Sequence, residues 1–422
     1  MTSDIKKVTL ENGLRIVMMP MNFIRTVTMG VWAGSGTRYE TPDVNGVSHF
    51  IEHMLFKGTH SRSAFDIAEK VDEIGANLNA YTSKQYTCFY AKSVENKWET
   101  VADILFDMVT DPRFNEQDLE TEKGVICEEI EMYRDSPDDI MIEGMYAGVW
   151  KGNMLGSEIL GTQETVGAMT PDTLRRYMKQ RYIPSRMVIS VAGNFDPDRF
   201  VKKVESFFGS MPRVTGDMGC ARAEYNSSIN LFKRDFEQTN VCIGFKADGS
   251  GGPYRHAIAM FNSILGGSSS SRLYQEIREK RGLAYSVGSS YAGYMHEGLF
   301  AVDMGVNAEC EEDALRAAKD VLDEIKANGI TKREFERVRQ QLAASVIMGL
   351  EGAASMVSHM GREELLENRI RTEEQILEGI EKVTIDDINN IAKRYIDFST
   401  CSVSAVGRSI HDEQFYIDIL RK

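Results

Sequence analysis

The chain has 422 residues, of which 42% are hydrophobic and 27% charged, and a formal net charge of −14. That length exceeds one ordinary core and predicts two or three domains, with the balance of a globular protein. The acidic excess argues against a nucleic-acid partner, which needs basic patches, and no run approaches the roughly 18 apolar residues of a membrane span.

The N-terminus, "MTSDIKKVTLENGLRIVMMP", lacks the basic–apolar–small order of a signal peptide and the Arg-rich pattern of a transit sequence, so a cytoplasmic protein is expected. It reads as a strand, a turn at Asn12-Gly13 and a second strand. Further on, "SHFIEHMLFKG" (48–58) holds two of the chain's seven histidines and a glutamate within five positions. With Asn45-Gly46 as the turn before it, a helix over 46–56 is predicted. At about 100° per residue, His49, Glu52 and His53 then share about a 100° arc of one face. Imidazoles one turn apart can point at a single Zn²⁺, and a carboxylate beside them can serve water as a general base. The order His-x-x-Glu-His is that of the inverzincin motif. The plainer alternative is a helix with two hydrogen-bonded histidines and a solvated acid.

A catalytic zinc wants three protein ligands, so a third must come from elsewhere. The acid-rich helix "DLETEKGVICEEIEMYRDSPDDI" (118–140) offers it. Glu122 and Glu129 are seven apart and lie on nearly the same face, while Glu128 and Glu131 point to other sides. Spacing alone leaves all four open. Continuing past Glu129, Asp139 and Glu143 are four apart and share a face if the helix is regular after Pro137.

The stretch "SMPRVTGDMGCARAEYNSS" (210–228) is rich in small and turn-forming residues, and a linker over 214–230 is expected to join a domain of 1–213 to one of 231–422. The two halves repeat weakly at an offset of 214: "TVTMGVWAG" from Thr26 faces "NVCIGFKAD" from Asn240, and "TPDTLRRYMKQRY" from Thr170 faces "TIDDINNIAKRYI" from Thr384. Both members of the second pair start a helix with a Thr cap and an early Asp, and each runs on to a strand ending in Gly. Two α+β domains follow. At the same offset the His-rich segment falls on "NSILGGSSSSRL" (262–273), which has neither histidine nor acid, so the second copy carries no metal. Six scattered cysteines form no CxxC pair, and free thiols are expected.

Taken together, "GVSHFIEHMLFKGT", "ANLNAYTSKQYTCFYAKS", "EKGVICEEIEM" and "SSSSRLYQEIREKRGLAYSV", in this order over nearly the whole chain, resemble the pitrilysin/insulinase family of zinc peptidases, and within it the mitochondrial-processing-peptidase-like branch. The resemblance implies two homologous α/β-sandwich domains, mostly antiparallel in sheet, that close as a clamshell. It implies one Zn²⁺ per chain with His49, His53 and Glu129 as ligands, Glu122 as a supporting acid and Glu52 as the general base. Asn79 and Ala80 would lie on an edge strand that pairs with a peptide substrate. Arg278 and Tyr285 match the family's R-x6-Y pair, which reaches the scissile region from the second domain. Asp139 and Glu143 match acids that receive an arginine near the cut. Some relatives split the zinc motif and the arginine–tyrosine pair between two chains. This chain carries both, which implies a self-sufficient endopeptidase, acting on peptides or unfolded segments as a homodimer. The alternatives are a heterodimer with a related chain, or a catalytically weak structural or peptide-binding relative.

Overall fold

The computed structural model describes residues 5–214 and 219–422. Strands β1 (Lys6–Thr9) and β2 (Arg15–Pro20) pair antiparallel across the expected turn at Asn12-Gly13. Asn12 fixes that turn, since its Oδ1 accepts from Leu14 N at 3.1 Å and its Nδ2 donates to Phe208 O at 2.7 Å. With β3 (Thr26–Ala33), β4 (Asn77–Thr82), β5 (Thr87–Val94) and β6 (Met187–Gly193) they form a six-stranded sheet in the order β1-β2-β6-β3-β5-β4. Its pairs are antiparallel apart from β2–β6.

The second sheet holds β7 (Ile229–Lys233), β8 (Gln238–Asp248), β9 (Ala284–Gly293), β10 (Glu297–Asn307) and β11 (Ser402–Gly407), in the order β7-β11-β8-β10-β9. Here β7–β11 is the parallel pair. Matching β2 to β7, β6 to β11, β3 to β8, β5 to β10 and β4 to β9 superposes the two strand orders, so the weak repeat in the sequence is a repeat of topology. Each domain is a mixed, open sheet packed with helices, an α+β fold.

Helices α1 (Val47–Leu55), α2 (Ala64–Glu73), α3 (Trp98–Thr110), α4 (Glu116–Arg134) and α5 (Pro137–Val149) occupy the first third of the chain. Seven of the eight β3 residues are buried, because helices cover both faces of the sheet. On one face α1 packs on β4 and β5, and α3 on β3 and β5. The opposite face is covered by a helix from much later in the chain, Ala353–Glu367, lying on β3 and β6. Conversely, α5 packs on β8 and β11 of the second sheet. The compact units are therefore interleaved: 1–130, 157–220 and 346–375 form one, and 131–156, 221–345 and 376–422 the other. The expected division at 213 and 231 separates the strands of the two sheets apart from Ile229 and Asn230 of β7, whereas the packing follows these exchanged helices. Both use a glycine to approach closely. A Cβ on Gly361 would stand 2.1 Å from Trp32 Nε1, and one on Gly144 would stand 2.4 Å from Phe232 Cε2.

Of the expected linker, residues 215–218 lie outside the described residues, and its end is already structured. Buried Ala223 donates its N–H to Glu297 Oε1 at 2.8 Å, and β7 begins at Ile229. The six cysteines are free thiols; Cys88, Cys242 and Cys401 are buried and the other three half-buried. No single described helix is long and apolar enough to cross a membrane. One pair bent by 103°, Lys332–Leu350 with Ala353–Glu367, passes on length and composition together, and its second member is the helix packed on β3 and β6.

Candidate metal centre

Helix α1 is nearly as predicted, with Gly46 as its N-cap. It is buried almost all round: Val47, Phe50, Ile51, Met54 and Leu55 enter the core, which leaves His49, Glu52 and His53 directed toward α4 and β4. On α4, buried Leu119, Ile126 and Ile130 fix the rotation, so buried Glu122 and half-buried Glu129 face α1. Glu128 is exposed, and exposed Glu131 pairs with Arg134 at 2.8 Å.

Three donor atoms converge. Glu129 Oε2 lies 3.7 Å from His49 Nε2 and 3.5 Å from His53 Nε2, and the three residues offer ligand atoms within 4.8 Å of one another. These separations are long for hydrogen bonds. They are close to the spacing of about 3.3 Å between donors that share a tetrahedral zinc with bonds of 2.0–2.1 Å. Two imidazoles and one carboxylate are also the donor types of a catalytic zinc site. The residues present fit the metal.

The electrostatics favour the ligating forms of His49 and Glu129 and oppose that of His53, which must release its Nε2 proton to bind a metal. Burial and the neighbouring His53 push His49 down to about 4, so its imidazole is neutral at pH 7 and free to ligate. Burial also works on His53, but the pull of Glu129 and Glu122 outweighs it and holds His53 above its usual value. Contact with His53 holds Glu129 below the usual carboxylate range, against its partial burial. Behind the triad, Glu122 Oε2 accepts from His53 Nδ1 at 3.0 Å, and Glu122 Oε1 pairs with Lys57 Nζ at 2.5 Å. That bond fixes the tautomer that turns the Nε2 lone pair toward the triad.

Glu52 is half-buried beside the triad, and Thr82 Oγ1 donates to its Oε2 at 2.5 Å. Burial raises its pKa, more than the Thr82 bond lowers it. A carboxylate raised in this way is a better proton acceptor. Neither Thr82 nor Lys57 was singled out by sequence reasoning. Nor was Glu40, whose buried carboxylate accepts from the backbone N–H of Gly46 at 2.8 Å and of Ser48 at 2.9 Å. The available signal was a glycine where α1 needs a cap, which means the first N–H groups must find an acceptor elsewhere.

Asn79 and Ala80 lie on β4, the edge strand, opposite Tyr90 and Phe89 of β5. Asn79 Oδ1 accepts the N–H of Ala80 at 2.8 Å, which occupies a donor of the sheet edge locally. The expected continuation of α4 to Asp139 and Glu143 is not observed. The helix ends at Arg134, and α5 restarts at Pro137 with Ser136 as its cap, accepting from Asp139 N at 3.4 Å. Proline at the first helical position has no N–H to continue a ladder, so a new helix begins there. Asp139 and Glu143 thus belong to the second compact unit. So do Arg278, in a π-helical turn (Tyr274–Lys280), and Tyr285 of β9, which is 73% exposed. Those two are neighbours: the guanidinium donates to Tyr285 O and lies 5.4 Å from the Tyr285 ring centroid and 5.1 Å from that of Tyr274.

Comparison with known proteins gives a consistent picture. Residues 15–163 match the model of the insulinase family (peptidase family M16), and residues 168–342 match that of the peptidase M16 inactive domain. An uncharacterized zinc protease of Bacillus subtilis is 39% identical over 405 residues, covering 96% of this chain and 99% of that protein. One from Streptomyces coelicolor is 36% identical over 397 residues, 92% of this chain and 86% of that protein. The fold is shared with a peptidase M16 inactive domain from Pseudomonas fluorescens, at a TM-score of 0.90 and 18% identity over 97% of this chain and 99% of the other. It is also shared with a protease from Helicobacter pylori, at 0.89 and 19% over 96% and 99%. The chain belongs to the insulinase family, peptidase family M16.

Proposed function

We propose that this protein is a zinc-dependent endopeptidase for peptides and unfolded segments, with His49, His53 and Glu129 holding one Zn²⁺ per chain. The observation that carries the reading is the convergence of those three donors beside a carboxylate, Glu52, whose burial raises its proton affinity. When bound, zinc supplies Lewis acidity, polarising a substrate carbonyl and easing deprotonation of water. Glu52 then accepts the proton of the attacking water and returns it to the leaving amine, with Thr82 holding the carboxylate in line. Glu122 keeps His53 in its ligating tautomer. The free edge of β4 receives an extended peptide, and Ala80 N exchanges the Asn79 side chain for a substrate carbonyl.

Within this reading Arg278 and Tyr285 contribute substrate and oxyanion contacts from the second unit, and Asp139 and Glu143 favour an arginine near the cut. A homodimeric enzyme of the processing-peptidase type is the form the sequence resemblance implies, and a cytoplasmic location is proposed beside it. The test is metal analysis and digestion of a peptide library by the purified protein. One zinc per chain and cleavage abolished by a chelator are expected. Protein that takes up no zinc and cuts no peptide overturns the proposal.

A further inference from the structure

The two histidines of the triad are held by different means. His53 has a carboxylate, Glu122, behind its ring at 3.0 Å. The corresponding atom of His49, Nδ1, is buried without a hydrogen-bond partner among the described residues. A ligating imidazole ordinarily gives its second N–H to a carboxylate or carbonyl, and that bond sets the direction of the ring. For His49 the direction must come from the backbone that carries it.

That backbone is the first turn of α1, where His49 is the third residue. The turn has no side-chain cap of its own, since Gly46 stands at the cap position with φ 91°. A side chain there would be excluded anyway, because a Cβ on Gly46 would lie 2.4 Å from Leu160 O. Glu40 takes over the capping role from six residues upstream. One oxygen accepts from Gly46 N at 2.8 Å and Asn45 Nδ2 at 3.0 Å, and the other from Ser48 N at 2.9 Å. Its negative charge at the positive end of the helix adds to these bonds. Glu40 is itself fixed, 5% exposed, at the end of the 3-10 turn Thr37–Tyr39, with its N–H on Thr37 O at 3.1 Å. Asn45 is tied to Glu158 O at 3.0 Å, and the Ser48 hydroxyl meets Tyr177 Oη at 3.1 Å. The residue adjoining His49 is thus gripped through both its backbone and its side chain.

We infer that Glu40 is the positioning residue for His49: it sets the start of α1, and so does for one zinc ligand, through the backbone, what Glu122 does for the other through the ring. The inference rests on the zinc reading above and concerns only how the donor set is aimed. It predicts a change in the metal site from a residue that touches neither metal nor substrate.

The test uses the full-length protein with Glu40→Gln. The amide keeps the shape but turns an NH₂ toward one of two backbone donors, so the grip on Gly46 or Ser48 is lost. Metal-free melting, chelator competition for Zn²⁺ and the visible spectrum of the Co²⁺-loaded protein are measured. The variant is expected to melt cooperatively, to hold zinc about 10- to 100-fold more weakly, and to show shifted cobalt bands. Should it fail to fold, Glu40→Asp takes its place. Its charge is kept but its reach is one methylene shorter, and the same changes are expected in smaller degree. A purely structural role would lower the melting temperature and leave the cobalt spectrum and zinc affinity unchanged. That result, in whichever variant folds, overturns the inference. Failure of the unaltered protein to take up zinc is a separate outcome, and refutes the zinc reading instead.

Discussion

Replacing Glu122 with glutamine isolates what a carboxylate behind a ligating histidine contributes. Glu122 is 3% exposed and makes two charge-assisted contacts, to His53 Nδ1 at 3.0 Å and to Lys57 Nζ at 2.5 Å. An amide has one oxygen to offer. Turned toward His53, it keeps the tautomer but leaves a neutral bond about half as strong. Hydrogen bonds to charged groups contribute about 1.5–3 kcal/mol and neutral ones about 1, so the loss is about 0.5–2 kcal/mol. Lys57 has a side chain 36% exposed and can turn to water, which adds little. The sum corresponds to zinc affinity about 10-fold weaker, and Glu122→Ala, which removes the bond entirely, should approach 100-fold. Chelator competition at fixed pH reads this directly. Zinc affinity within twofold of the parent would show that the ring is aimed by packing. Complete loss of zinc would show that Glu122 is itself a ligand.

Glu52→Gln should keep zinc while turnover on a peptide falls by about 10² or more, and near-normal turnover would remove Glu52 as the base. Glu129→Gln should lose zinc and Glu128→Gln retain it; metal analysis showing the reverse would mean that α4 is rotated from the orientation described. Gly361→Ala drives a Cβ into Trp32, whose indole N–H bonds buried Ser190 at 2.7 Å. Overpacking of about 1–3 kcal/mol should exceed the gain of about 1 kcal/mol in helix propensity, and a urea midpoint that does not fall would refute the close approach. Burial works to raise Glu334, but its bonds to Arg272 and Thr331 outweigh this and hold it at about 2. Because its folded value is depressed, its contribution is complete above the unfolded value of about 4.3 and is lost as pH falls toward 2. The stability difference between parent and Glu334→Gln should shrink across that window, and a constant difference would contradict the ion pair.

His49, Glu52 and His53 were legible in the sequence because helical periodicity is local: residues three and four apart share a face whatever the helix packs on. Glu129 was not separable from its neighbours by the same logic. Spacing groups Glu122 with Glu129, but only the burial of Leu119, Ile126 and Ile130 decides that this face meets α1. The repeat was legible because both copies keep the same strand order. The exchange of covering helices was not, since an apolar helix face does not say which sheet it will cover. The break before α5 was written in Ser136-Pro137, a cap followed by a first-turn proline, yet the acid-rich pattern on either side reads through it. Glu40 has no motif of its own, because the helix N–H groups it caps are backbone groups whose positions exist only after folding.

The late helix Ala353–Glu367 also sets an order of events during synthesis. Val17, Met19, Trp32, Cys88, Val188 and Ala192 form one apolar cluster with Ala353, Met356, Val357 and Met360. The first six residues leave the ribosome well before the last four, so that face of the first sheet stays uncovered while more than a hundred and fifty further residues are made. An apolar sheet face left bare for that long is a binding surface for chaperones and for other nascent chains. The metal-bearing unit cannot be completed until most of its companion has been made, and a chain that stops near residue 213 carries every proposed zinc ligand beside a sheet with one face unsheltered.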